Sequence, residues 1–246
     1  MQARSLIAEL GWLDVPAGTV ALGTASDEID SVVARHADIG IPRLYVAKEA
    51  PRATVQVAHF VVLRTPVTVE TWNAFGRDTG RDVVGEQPRH PIDSRTFAEV
   101  QAFCSWYSEA ADEEVRLPSE VEWERAARGG DEREYPWGDR FDPACANLAE
   151  AGVGTTMPVG SYPRGASPFG LLDMAGNTDE WTSTLYAPYP GAPPDVPVVE
   201  AWALDPHIVR GGSWRHFRDL ARCARRHGLY PNTKGEVGVG FRLVRL

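Results

Sequence analysis

Residues 209–230 read VRGGSWRHFRDLARCARRHGLY. Gly211 and Gly212 ahead of Ser213 and Trp214 specify a tight turn, because glycine takes positive φ at little steric cost. The turn feeds a segment crowded with arginine, histidine and aromatic residues. Such a segment either performs chemistry or grips a partner. From His207 onward nine Lys or Arg stand against two Asp or Glu, whereas the 206 residues before it hold 16 against 32. A basic end is set on an acidic body. Two readings follow: the arginines fasten the fold by pairing with carboxylates of the body, or they line a groove that favours anions.

The chain has 246 residues, 43% of them hydrophobic, with a net charge of −9. That composition supports one large core and one domain over residues 1–246, and the acidic balance argues against nucleic acid as a partner. No apolar run reaches the roughly 18 residues of a membrane span, and the start MQARSLIAELGW lacks a secretory pattern, so a cytoplasmic protein without a membrane partner is expected. The three cysteines, Cys104, Cys145 and Cys223, are widely spaced. They make a poor disulfide framework and are expected to be reduced and structural.

Turn signals outnumber periodic segments. GWLDVPAGTVALGT gives short β-prone pieces around Pro-Ala-Gly, and SDEIDSVVARHADI gives a capped helix with Ile29, Val32 and Val33 on one side. ATVQVAHFVVLRTPVT reads as a strand that contains a half-buried His59. His36 falls on the helix surface. Thr96 with Glu99 and Ser119 with Glu122 are capping boxes, each opening a helix. In the first, Val100, Phe103, Cys104 and Tyr107 share the core face; the second ends at Gly129 and Gly130. YAPYPGAPPDVPVVEAW reads as an ordered surface insertion between strand-like segments.

The motifs VPAGTVALGT, FVVLRTPVTVETWNAF, RLPSEVEWERAARGG, YPWGD, PFGLLDMAGNTDEW, VRGGSW, RCARR and GVGFRLV stand in that order. The chain thereby resembles the formylglycine-generating enzyme, or sulfatase-modifying factor, family over nearly its whole length. The resemblance implies an α+β, irregular, turn-rich fold related to C-type lectins, with a small twisted antiparallel sheet and a few helices. Family members that activate sulfatases carry two copper-binding cysteines in the loop after Gly-Gly-Ser. Here that loop reads WRHFRDLAR, without cysteine, and Cys223 follows in a segment that reads as strand. Copper(I) needs soft thiolates. Sulfatase activation and copper held by cysteines are therefore not expected.

Two other branches of the family remain. One holds oxidative tailoring enzymes, similar to iron-dependent sulfoxide synthases and a pyoverdine-maturation oxidase. An Fe²⁺ site here would draw on His207, His216 and His227 with Asp219 or Asp179, since a facial triad takes two histidines and a carboxylate. On this reading His216, Asp219, His227 and Asp179 are the candidate catalytic groups, acting on a small-molecule or peptide substrate, an anionic one if the basic loop faces it. The other branch consists of lectin-fold binding proteins without chemistry. Trp214, Arg215, Phe217, Arg218 and Tyr230 are the candidate substrate- or partner-binding residues on either branch, with Trp214 also suited to a core position. The resemblance further implies structural Ca²⁺ on the segment DMAGNTDEW, through the side chains of Asp173 and Glu180 and the carbonyls of Gly176 and Thr178. Asn147 and Leu148 match the start of a second such site. The bland reading of the same segment is a turn held by hydrogen bonds alone. His90 matches a structural position.

Overall fold

The structure, a computed structural model, describes residues 11–197, 207–229 and 238–245, with residues 227–229 described by their backbone. Tyr230 and the last part of the Pro-rich insertion lie outside the described residues.

β1 (Trp12–Val15) and β2 (Gly18–Leu22) flank the Pro-Ala-Gly turn as the sequence requires. A single 3₁₀ turn leads into α1 (Ile29–Arg35), which buries Ile29 and Val32; its start has no side-chain cap, contrary to expectation. α2 (Arg43–Ala47) follows. The segment read as one strand is two, β3 (Ala53–Val57) and β4 (Phe60–Leu63), and they join different sheets. The break falls at Ala58–His59, so His59 is an exposed residue paired with Asp14 at 2.8 Å. α3 (Val69–Thr79), unread in the sequence, starts on the Thr68 hydroxyl and stops at Gly80 in the left-handed conformation. α4 (Phe97–Ala111) and α5 (Glu120–Arg128) carry both expected capping boxes intact.

The remaining strands are β5 (Val115–Arg116), β6 (Asp179–Leu185), β7 (His207–Arg210), β8 (His227–Leu229), β9 (Val239–Gly240) and β10 (Val244–Arg245). They complete two four-stranded sheets, ordered β1-β4-β10-β5 and β8-β7-β6-β9, beside the β2-β3 pair. All pairings are antiparallel except β6 with β9. The segment containing Arg222, Cys223, Ala224 and Arg225, read as strand, is a run of turns, because the Arg210 guanidinium takes the Cys223 and Arg225 carbonyls that a neighbouring strand would use.

An aromatic core packs α3 and α4 against both large sheets. Trp72 stacks on Phe103 with ring centroids 5.6 Å apart, and Phe75 and Phe241 close on them edge-first. Cys104 and Tyr107 are in this core, as their helical spacing demands. His36, expected on the surface, is buried: its Nδ1 meets the Val32 carbonyl and its Nε2 meets the Tyr135 hydroxyl. Burial holds the ring below the usual histidine value, although the bond to Val32 opposes this.

The second core is ionic. Arg242 is fully buried and grips Glu180 through two nitrogens at 2.7 and 2.6 Å, while its other bonds reach the carbonyls of Leu63, Arg64, Leu172 and Asp173. Trp123 donates to the same carboxylate at 2.8 Å. Arg226 clasps Glu120 at 2.8 and 2.9 Å, Arg222 clasps Glu49 at 2.8 and 2.7 Å, and Arg210 bridges Glu124 and Glu120. The pairing reading of the basic end therefore holds for these residues.

Removing one partner of such a pair strands a buried charge, at a cost of about 3–5 kcal/mol. Urea unfolding should show that loss for Arg242→Met, and a smaller one for Arg242→Met combined with Glu180→Leu. Arg218→Ala, whose partner Asp38 is exposed, should cost far less than the loss of Arg242.

Candidate active site

β6 and β7 pair with Glu180 opposite Arg210, which sets Asp179 beside the Gly-Gly-Ser turn that leaves β7. Gly212, at φ 70°, donates its amide to Asp179 Oδ1 at 2.8 Å. The next turn closes where the His216 amide donates to the Ser213 carbonyl at 2.9 Å, and it folds the imidazole back over Ser213. His216 Nδ1 then lies 3.1 Å from Asp179 Oδ2 and 3.1 Å from both the amide and the hydroxyl of Ser213. Serine and aspartate thus meet the same ring nitrogen. An imidazole so placed cannot relay a proton between them, which excludes a serine-nucleophile triad. The His216 carbonyl accepts from Ala149 and the Asn177 carbonyl accepts from Trp214, so the loop is tied to the segment that follows Asn147 and Leu148 and to the turn before β6.

The imidazole is one-third exposed, at 34%, and Asp179 is buried. Burial works against the His216 cation, but the Asp179 carboxylate outweighs it and Asp219 adds to it. The ring is held above the usual histidine value, with Arg215 opposing.

The other expected site residues disperse. Asp219 is buried and faces Arg225 at 3.9 Å. The backbone of His227 pairs with Val209, and its side chain lies outside the described residues. Trp214 is half-buried under the Arg215 guanidinium, 5.6 Å from its ring, and Phe217 is 51% exposed. Arg218 is bound to Asp38 and approaches Glu150. No carboxylate pairs with Arg215 among the described residues. An anion-favouring groove built from the whole basic end is thereby corrected: Arg210, Arg218, Arg222, Arg225, Arg226 and Arg242 are engaged by acidic groups of the body.

A second wall of the site was not read from the sequence. Gly238, at φ 103°, gives its carbonyl to the Asp179 amide at 2.7 Å and to the Thr178 hydroxyl at 2.8 Å. A Cβ there would stand 2.8 Å from Ser213 Oγ, so only glycine fits. The Gly238 amide in turn faces Asp93. Asp93 opens on a cavity of about 490 Å³ walled by Val69, Val84, His90, Arg95 and Thr156. Burial raises the Asp93 carboxyl above the usual range, although Ser94 and Arg95 oppose this. His90 meets the Thr156 hydroxyl at 2.9 Å, and burial lowers its value. The only visible signal was the polar dipeptide after His90-Pro91-Ile92, and nothing local says that it faces a cavity.

Among the described residues no three His, Cys, Asp or Glu groups form a metal-holding cluster. His207 stacks on Phe97 with ring centroids 3.5 Å apart, away from any facial triad. Glu180 does not fit a calcium ligand as it stands, because Arg242 and Trp123 take its oxygens and a cation would sit against the guanidinium. The Gly176 carbonyl accepts from the Thr178 amide. Asp173 has one oxygen on the Gly160 amide, and burial raises its carboxyl to about 6. Asn147 Oδ1 is buried without a hydrogen-bond partner, the one feature of this region that suits an oxygen-seeking cation. The cysteines are buried apart, Cys104 and Cys223 in different cores.

Residues 8–246 match the sulfatase-modifying factor enzyme 1-like domain. The chain belongs to that family. It is 31% identical to hercynine oxygenase from Mycolicibacterium thermoresistibile over 79% of its length, and it spans 52% of that enzyme. It is 32% identical to the formylglycine-generating enzyme of Mycobacterium tuberculosis, with 82% of this chain and 76% of the relative covered. Among solved structures, PvdO from Pseudomonas aeruginosa superposes with a TM-score of 0.76 at 27% identity, covering 95% of this chain and 93% of PvdO. The expected turn-rich, C-type-lectin-like α+β fold is the fold found.

A raised histidine value means that the folded state holds the proton more tightly. The stabilisation is complete below the unfolded value of about 6.5 and is lost as pH rises through the folded one. Proton NMR should place the His216 titration above about 6.5 in the wild type, and Asp179→Asn should bring it down. The stability deficit of that variant should be larger at acid than at alkaline pH.

Proposed function

We propose that this protein is a tailoring oxidoreductase of the sulfatase-modifying factor family, one domain over residues 1–246, acting on a small or peptidic substrate and not on sulfatases. Its kinship with hercynine oxygenase, together with its full-length likeness to PvdO, carries the reading. The chain covers about half of the oxygenase, so the relative's substrate is not transferred. The loop after Gly-Gly-Ser has no thiolate pair, which supports excluding the sulfatase-activating chemistry.

The cavity at Asp93 supplies an apolar wall with three polar anchors, Asp93, His90 and Arg95, which suits orientation of a small substrate. Beyond the Gly238 backbone, outside the lining of that cavity, His216 is the group best placed to hold and return a proton, and Asp179 positions it. Trp214, Arg215 and Phe217 stand on the same loop as His216. Arg215 is the side chain there most able to receive an anionic group. Among the described residues no three His, Cys, Asp or Glu side chains stand together to hold a redox metal. The alternative is a binding protein that uses Phe217 and Arg215, with the half-buried Trp214, as anchors; the exposure of the first two favours it.

The two readings separate in an oxygen electrode. Purified protein, assayed with and without added Fe²⁺, should consume oxygen with hercynine or tyrosine-containing peptides as probes, give an oxidised product by mass spectrometry, and form no formylglycine on a Cys-x-Pro-x-Arg peptide. His216→Ala should slow turnover by about 10²-fold or more if the ring is the acid or base. Saturable binding of the probes without oxygen uptake would establish the binding reading instead.

Calcium remains a separate proposal resting on Asp173 and on Asn147 Oδ1. If it binds, millimolar Ca²⁺ should raise the melting temperature over that in chelator through mass action. The rise should vanish in Asp173→Ala; equal melting in both media removes calcium from the protein.

A further inference from the structure

A second cavity, of about 390 Å³, opens on the α1 side of the molecule and shares no lining residue with the one at Asp93. Its walls come from six places in the chain: Thr24 after β2, the Glu28 to Arg35 stretch ending α1, Arg52 before β3, Arg128 at the end of α5, the turn at residues 132–139, and Arg222 with Ala224. Four arginines line it, Arg35, Arg52, Arg128 and Arg222. Four carboxylates face them, Glu28, Glu132, Glu134 and Asp139.

The arrangement is layered. Arg128 and Arg222 are 3% and 2% exposed and form the floor. Each is held from behind, Arg128 by Glu124 at 3.2 Å and Arg222 by Glu49 at 2.7 Å, and each keeps an Nε–H with no hydrogen-bond partner. The rim is acid-rich. Arg52 reaches across it to Glu28 and Glu132, both at 2.6 Å, and Arg35 holds Glu134 at 3.4 Å. Glu134 Oε1 is buried and also has no hydrogen-bond partner. Unmet donors at the floor thus accompany an unmet acceptor at the wall. Buried polar groups without partners are rare because each costs free energy, and these three lie on residues that line the cavity.

The balance of charge selects the ligand. A simple anion would enter the field of four carboxylates, and a simple cation would meet four guanidinium groups. Each gains on one side what it loses on the other. A molecule carrying both signs a few bonds apart matches floor and rim together, and the volume suits something of amino-acid to dipeptide size.

We propose that this cavity is a binding site for a small zwitterion of the α-amino-acid type, its carboxylate toward Arg128 and Arg222 and its ammonium toward Glu134. The site is independent of the oxidation assigned above, and its test reads binding alone.

The twenty common α-amino acids and glycylglycine serve as probes, each followed by melting temperature and by calorimetric titration of the full chain. At least one should bind saturably, and its N-acetyl and its carboxamide derivatives should each bind at least tenfold more weakly. Ser31→Trp, on the exposed face of α1 at the cavity wall, should abolish binding by filling the space. Should that variant fail to fold, Glu134→Gln decides, with at least a tenfold loss expected. The proposal fails if no probe binds, if the derivatives bind as well as their parents, or if binding survives the folded Ser31 variant or Glu134→Gln.

Discussion

The fold hangs on buried pairing between glutamate and arginine. Glu120 and Glu124 project from α5 into the interior, Glu180 stands second in β6, and Arg210, Arg226 and Arg242 reach them from the C-terminal third. In most helices of this size the buried face is apolar; here Glu120, Glu124, Arg125 and Arg128 are buried beside Trp123, Ala126 and Ala127. Ion pairs taken from water repay their desolvation only when geometry is good and spare hydrogens find acceptors. Arg242 meets that condition, since its nitrogens spread over one carboxylate and four carbonyls. A turn-rich chain with short strands cannot lock its loops by ladders alone. The guanidinium forks do so by binding loop carbonyls directly, which explains why lysine could not stand in for them.

What the sequence made legible was local. The capping boxes at Thr96 and Ser119 act within four residues, and helical spacing placed Cys104 and Tyr107 correctly in the core. The same method missed His36, whose burial depends on Tyr135, 99 residues away. It merged β3 and β4 because both are β-prone, whereas their partners, β2 and β1, belong to different sheets. Of the candidate site, the proximity of His216 to the start of β6 was not apparent, although both residues were named. It follows from the register of β6 on β7, which no composition reveals. The cavity at Asp93 was invisible for the same reason: Val69, His90 and Thr156 come from three separate segments.

These distinctions divide the basic stretch that begins after the double glycine. Arg222, Arg225 and Arg226 belong to the scaffold, Arg218 fastens the loop to Asp38, and Arg215 with Phe217 faces outward. Its first residues can change without loosening the core, whereas the later ones cannot. A family that keeps one framework while changing its chemistry needs that division.

The order of strands has a further consequence for how the molecule is made. β10 lies between β4 and β5 in the first large sheet, and β9 flanks β6 in the other. The middle of one sheet and the edge of the second are thus supplied by residues 239–245. During synthesis β4 and β5 wait apart, with Leu63 and Val115 uncovered, until some 180 and 130 residues later the strand that joins them emerges. Glu180, meanwhile, has no guanidinium partner until Arg242 arrives. Completion of the fold is therefore tied to the end of translation of this segment, and the growing chain must be kept from aggregating through those open strand edges until then.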